Sequence, residues 1–134
     1  MEKNRLANKR VLVVEDEKAL MEAIRIKLKN GPFRALFVPN AEQAIKTLQE
    51  QEVDLIWLDL LLPGMSGLEF LKYLRAMPKW KNLPVVVISV SGGPEKINEA
   101  YGLKIQDYLV KSDHRLEELI ERVADILVSS NKVN

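Results

Sequence analysis

Val53-Asp54-Leu55-Ile56-Trp57-Leu58-Asp59-Leu60-Leu61-Leu62-Pro63-Gly64-Met65-Ser66-Gly67 is the stretch whose reading decides the fold. An apolar run of strand length ends on a carboxylate, and Pro63-Gly64 followed by Ser66 is turn and cap chemistry that opens a helix. Asp59 therefore stands at the mouth of a buried strand. Alone, such an Asp is ordinarily a solvated loop residue or a helix cap. Its company changes the reading: Glu15-Asp16-Glu17 end the first apolar run, Ser89 ends a later one and Lys111 the last. In an open parallel α/β sheet the carboxyl ends of the strands share one edge, where ligand sites form. The chain thus places acid, hydroxyl and amine together.

Apolar runs of strand length recur over residues 11–14, 33–38, 53–58, 85–90 and 105–110. Several are continuous rather than alternating, as expected of strands covered on both faces by helices. Between them lie segments with helical spacing: Leu20, Ile24 and Leu28; Ala41, Ala44, Ile45 and Leu48; Leu68, Leu71 and Leu74; and Leu116, Leu119, Ile120, Val123 and Leu127. Gly31-Pro32 is expected to stop the first helix, Asn40 to cap the second, Ser66 the third, and Pro94 to open a short fourth helix near residues 94–101. Strand and helix alternate five times. Right-handed crossovers of this kind predict an α/β, doubly wound, five-stranded parallel sheet of order 2-1-3-4-5, a flavodoxin-like three-layer sandwich. The expected organisation is a flexible N-terminal arm over residues 1–8, one domain over 9–129 and a C-terminal tail over 130–134.

Composition bounds the function. At 134 residues the length suits one domain that buries a core without staples. With no cysteine and a single histidine, His114, thiolate chemistry, disulfides and clustered His or Cys metal sites are excluded. A cytoplasmic location is expected: no run approaches the ~20 apolar residues of a membrane span, and Met1-Glu2-Lys3-Asn4-Arg5 lacks a signal peptide's apolar region. A formal charge of +1 gives no global attraction to nucleic acid, so Lys3, Arg5, Lys9 and Arg10 read as a solvated arm.

Glu15, Asp16 and Asp59 repel one another unless protonated or neutralised, and a hard cation is the usual resolution. Magnesium suits a site with few protein ligands, because it keeps waters and takes one or two carboxylates plus phosphate oxygens. With a phosphoryl group present, Lys111 neutralises its oxygens, Asp59 attacks in line and Ser89 donates a hydrogen bond. Each residue also has a plain structural role available. Glu15 to Glu17 could lie in the first turn of a helix, Ser89 could be a cap, and Lys111 a solvated side chain.

The chain resembles the receiver domains of bacterial two-component response regulators, including the single-domain chemotaxis-regulator type, from about Lys9 to Ser129. Val11-Leu12-Val13-Val14-Glu15-Asp16-Glu17 resembles the family's first strand and acidic pair. Leu58-Asp59-Leu60-Leu61-Leu62-Pro63-Gly64-Met65-Ser66-Gly67 resembles the phosphoacceptor motif, Leu83-Pro84-Val85-Val86-Val87-Ile88-Ser89 the switch-hydroxyl strand, and Asp107-Tyr108-Leu109-Val110-Lys111 the strand of the switch aromatic and lysine. The resemblance implies that Asp59 is phosphorylated by a sensor histidine kinase or a histidine phosphotransfer protein. It implies that Asp16, Asp59 and the Leu61 backbone carbonyl bind Mg²⁺ directly, with Glu15 acting through water. Ser89 and Lys111 would bind the phosphoryl oxygens, and Tyr108 would change rotamer as Ser89 moves inward. The implied output face is the fourth helix, fifth strand and fifth helix, with Lys96, Glu99, Tyr108, Arg115 and Arg122 exposed and a downstream protein bound there by a monomer or weak homodimer.

The chain departs from the family's pattern at defined positions. Ser112 follows Lys111 where receivers have a cis proline; a cis bond without proline costs about 2.5–4 kcal/mol, so a trans or strained bond is expected. Val90 replaces the usual small residue after the switch hydroxyl, and Leu61 and Ser91 offer no carboxylate or amide to orient an attacking water. Slower phosphodonor access and slower hydrolysis are expected. A phosphorylation-inert pseudo-receiver is the alternative reading. An aspartyl-phosphate phosphatase would want an acid where Leu61 stands, and a histidine phosphotransfer bundle does not suit five strand signals. Trp57 is expected to pack in the core or rim and Trp80 to anchor a loop.

Overall fold

The computed structural model describes residues 6–90 and 93–132. Five strands, β1 (Arg10–Val14), β2 (Arg34–Val38), β3 (Leu55–Leu58), β4 (Val85–Ser89) and β5 (Asp107–Val110), alternate with five helices: α1 (Lys18–Lys27), α2 (Ala41–Glu50), α3 (Gly67–Ala76), α4 (Pro94–Gly102) and α5 (Leu116–Lys132). All pairings are parallel, in the order β2-β1-β3-β4-β5. The expected topology is the observed one.

The continuous apolar runs exist because alternate residues of each strand enter two different cores. Leu12, Val14, Ile56, Leu58, Val85 and Val87 face α2, α3 and α4. Val11, Val13, Leu55, Trp57, Val86 and Ile88 face α1 and α5. Trp57 is fully buried in that second core, its indole nitrogen without a hydrogen-bond partner among the described residues. Trp80 anchors the loop after α3, its ring centroid 6.1 Å from that of Tyr73.

Local chemistry sets the helix ends. The Asn40 side chain accepts from the Gln43 N–H, and Ser66 and Glu69 form a reciprocal capping box. Pro94 occupies the first turn of α4, and Gly102 extends that helix one residue beyond the expected Tyr101. α1 stops at Lys27 rather than running to Gly31-Pro32, because the chain tightens into turns there, with the Gly31 N–H donating to the Leu28 carbonyl at 3.0 Å. β5 begins two residues later than residue 105, since the Gln106 side chain accepts from the Val85 N–H at 2.6 Å.

Both ends of the expected domain extend further than its boundaries at 9 and 129. Residues 6–8 form a 3-10 turn, closed by the Lys9 N–H on the Leu6 carbonyl at 2.8 Å. Leu6 is 1% exposed within the second core, so the expected flexible arm contributes a core residue. α5 continues to Lys132. Residues 1–5 of the arm and 133–134 of the tail lie outside the described residues, as does Ser91.

Candidate functional site

β1 and β3 are neighbours in register, with Val14 opposite Leu58. The ladder continues past both strands: the Glu15 N–H donates to Val38 and the Asp59 N–H to Val14. One residue beyond each strand, Glu15 and Asp59 are therefore placed side by side. β5 pairs with β4 through Ser89 and Val110, so Lys111 follows directly beside the hydroxyl. The parallel topology, rather than any local sequence, brings these side chains together.

Lys111 Nζ donates to Glu15 Oε1 at 2.8 Å and to Asp59 Oδ2 at 3.2 Å. The Ser89 hydroxyl donates to Asp59 Oδ1 at 3.3 Å, and the same oxygen accepts from the Leu61 N–H at 3.0 Å. Glu15 Oε2 accepts from the Glu17 N–H at 3.0 Å. Glu15, Asp59 and Ser89 are buried, whereas Asp16 is exposed. Ligand oxygens of Glu15, Asp16 and Asp59 all lie within 4.8 Å of one another. The peptide bond between Lys111 and Ser112 is trans, and a 3-10 turn over Lys111–Asp113 follows. Lys111 reaches the carboxylates without a proline after it.

Burial pushes the Glu15 carboxyl above its ordinary value, and the Asp59 charge adds to that push. The hydrogen bonds from Lys111 and the Glu17 N–H oppose it without reversing it. Burial acts to lower the Lys111 ammonium, but the Glu15 hydrogen bond and the Asp59 charge outweigh it and hold Lys111 above its ordinary value. Lys111 thus serves the two buried carboxylates, with Glu17 a further 3.9 Å away, while Asp16 completes the acidic cluster. Such a site favours any added positive charge, and the exposed Asp16 leaves it open to a hydrated ion.

Tyr108, expected on the outer face, is half-buried against the first core and in hydrogen-bonding contact with Ser89. Burial and the Asp59 charge raise its phenol above the ordinary range, while that contact lowers it. Lys96, Glu99, Arg115 and Arg122 are exposed as expected. Glu99 nevertheless pairs with Lys72 at 3.0 Å and Arg122 with Asp107 at 2.7 Å. At the mouth of the site, Leu61 is 51% and Val90 50% exposed, an apolar rim around buried charge.

Sequence reasoning missed Glu42. From the first turn of α2 its carboxylate accepts the Met65 N–H at 3.2 Å and so ties down the loop after Asp59. No local signal marks it, because a Glu in a first helical turn is favoured there regardless.

The family model for the response regulator receiver domain matches residues 11–124. The phosphate regulon transcriptional regulatory protein PhoB of Escherichia coli (strain K12) is 31% identical over 119 residues, covering 89% of this chain and 52% of PhoB. The chain spans about half the length of the curated relatives it matches. Among solved structures, the Mn²⁺-bound form of response regulator Rcp1 is 31% identical with a TM-score of 0.74, over 88% of this chain and 91% of that one. The phosphorylated cyanobacterial phytochrome response regulator RcpA is 30% identical with a TM-score of 0.74, over 92% and 91%.

Proposed function

Because the chain belongs to the response regulator receiver domain family, we propose that it is a phosphoacceptor switch of a two-component phosphorelay, taking a phosphoryl group from phosphohistidine onto Asp59. The observation that carries this reading is the cluster in which Lys111 bridges the buried carboxylates of Glu15 and Asp59 while Ser89 donates to Asp59. An Asp59 oxygen attacks phosphorus in line; the O–P bond forms as the P–N bond breaks, and the departing imidazole nitrogen keeps the electron pair and takes a proton. Ser89 then donates to a phosphoryl oxygen, and Lys111 moves its charge from the carboxylates to the new group.

The donor set fits magnesium: hard oxygens, two buried carboxylates and one open to solvent. Asp16, Asp59 and the Leu61 backbone carbonyl would hold it, with Glu15 acting through water. When bound, the ion supplies the positive charge that neutralises the phosphoryl oxygens. The added charge at the strand ends favours whichever conformation brings Ser89 and Lys111 closest to Asp59, and Tyr108, in contact with Ser89, follows it. The readout is the surface of α4, β5 and α5, which docks a downstream protein. In this reading the domain works in the cytoplasm with a sensor histidine kinase or a histidine phosphotransfer protein, and is a self-modifying signal carrier rather than a turnover enzyme.

Incubation with a histidine-phosphorylated kinase or phosphotransfer protein tests the reading. Phosphoryl transfer to the wild type and none to Asp59→Ala is the expected result. A Mg²⁺ titration followed by amide NMR should move the signals of residues 15–17 and 59–61 first. No response there, with no transfer, would leave a phosphorylation-inert interaction module instead.

A further inference from the structure

We infer that the open edge of β2 is a docking site for an acidic, extended segment of a partner protein, which adds to the sheet as a further strand. β2 stands at one end of the strand order, and its pairing with β1 uses only one of its two sides. The Arg34 N–H donates to the Lys9 carbonyl at 2.9 Å, and the Val38 carbonyl accepts from the Glu15 N–H at 3.0 Å. Successive residues of a strand turn their backbone groups to opposite sides. Arg34, Leu36 and Val38 therefore serve β1, while Ala35 and Phe37 turn their N–H and carbonyl groups to the open edge. An added strand pairs with such groups.

A groove of about 690 Å³ runs beside this edge, lined by Arg10, Arg25, Lys29 and Arg34 together with Ile26 and Phe37. Among the described residues its lining holds no carboxylate. Some compensation comes from outside the groove: Glu22 lies 3.9 Å from Arg25, and Asp54 accepts the Arg10 backbone N–H at 2.9 Å while facing Lys9 at 3.8 Å. Lys27, which pairs with Glu117 at 2.7 Å, is not part of the lining. Lys29 and Arg34 form no ion pair among the described residues. Arg10 and Arg34 are moreover partners in the β1–β2 register, which sets two guanidinium side chains on one face of neighbouring strands. Like charges so placed repel, and a carboxylate delivered between them relieves the repulsion.

The same charges select the occupant. A second copy offering its own β2 would set its cations against these, so pairing of two such edges is disfavoured. An acidic strand instead gains backbone hydrogen bonds and charge pairs together. An apolar side chain on it covers Ile26, which is 66% exposed. The Arg25 guanidinium lies 4.6 Å from the centroid of the Phe37 ring, so the basic and apolar parts of the groove are continuous. None of the lining residues belongs to the acidic cluster around Asp59, so the site is separate from the phosphoacceptor.

Fluorescence anisotropy of a labelled peptide of alternating Glu and Val, mixed with the whole chain, tests this. Binding is expected at about 0.01 M salt and should weaken toward 1 M, as the screening length falls from roughly 30 Å to roughly 3 Å. Lys29→Glu with Arg34→Glu should weaken it about tenfold or more. Circular dichroism checks that the variant remains folded, and Gln substitutions at the same positions replace it if it does not. Peptides N-methylated at alternate residues, made in both phases, keep every charge, and only the phase that leaves the pairing edge free should bind. Hydrogen exchange followed by NMR should show the Ala35 and Phe37 amides slowed by the peptide, whereas that of Leu36, already bonded to β1, is protected with or without it. No binding by the wild type, equal binding by the charge-reversed variant, equal binding of the two N-methylated peptides, or unchanged exchange at Ala35 and Phe37 would each overturn the inference. So would tighter capture of a labelled oligothymidylate than of the peptide, which assigns the groove to a nucleic acid. A wild type that dimerises in sedimentation velocity with the same two amides slowed would overturn it too, since the occupant is then a second copy.

Discussion

At the scale of single residues the site depends on how few cations face its acids. Lys111 serves both Glu15 and Asp59, and Glu15 remains above its ordinary carboxyl value despite that contact because burial dominates. Residue types and strand-end positions were enough to single out Glu15, Asp16, Asp59, Ser89 and Lys111, because polar groups that interrupt apolar runs stand out. Residue type alone does not place Tyr108, since an aromatic on an edge strand suits either face; only the family resemblance linked it to Ser89. Val90, the residue after Ser89, stands half-exposed, and a branched side chain there is expected to narrow the approach to Asp59. Val90→Ala is expected to shorten the lifetime of the phosphorylated protein severalfold, measured by loss of label after the donor is removed. A longer lifetime would refute this role.

At the scale of elements, the segment after Asp59 is fixed from several directions. Gly64 has φ +73°, a conformation that favours glycine, and the capping box on α3 sets where the next helix begins. Gly67 permits a close approach: a Cβ there would lie 2.6 Å from the Asp59 carbonyl oxygen and 2.5 Å from the Leu60 Cα. Both contacts are backbone, so neither can swing aside. Gly67→Ala should cost about 1–3 kcal/mol in denaturant unfolding and slow phosphorylation by shifting Asp59 itself. Ser66→Ala should cost about 1 kcal/mol by removing the cap. The Ser66 backbone N–H, and then its hydroxyl, hold the Glu69 carboxyl below its ordinary value of 4.5. A depressed carboxyl stabilises the fold above the ordinary value, and that contribution is lost as pH falls through the lower, folded value. NMR titration should find the Glu69 midpoint below 4.5 in the wild type and moved part of the way back in Ser66→Ala. The capping residues were readable in advance because their spacing carries the mechanism. Gly67's close approach was not, because it depends on how α3 returns against Leu60.

At the scale of the whole molecule, strand order followed from five continuous apolar runs and the handedness of their crossovers, which leave few topologies. The limits of the fold were harder to see. Leu6 carries no periodic neighbours, so nothing in the sequence marks it as core, yet it is buried in the same core as Phe33 and the apolar residues of α5. Leu6→Ala is expected to destabilise the protein by about 3 kcal/mol in urea unfolding, as for other buried leucines, where a mobile arm would show no change. The central claim joins the sheet to its chemistry: four strand ends converge so that Asp59 can carry a phosphoryl group. Intact-mass analysis after incubation with a small acyl-phosphate donor tests it most directly, with and without Mg²⁺, on the wild type and on Asp59→Ala. The account predicts a metal-dependent gain of one phosphoryl group in the wild type and none in the variant. A folded wild type that gains nothing under any condition, or a variant that gains the group equally well, would contradict it.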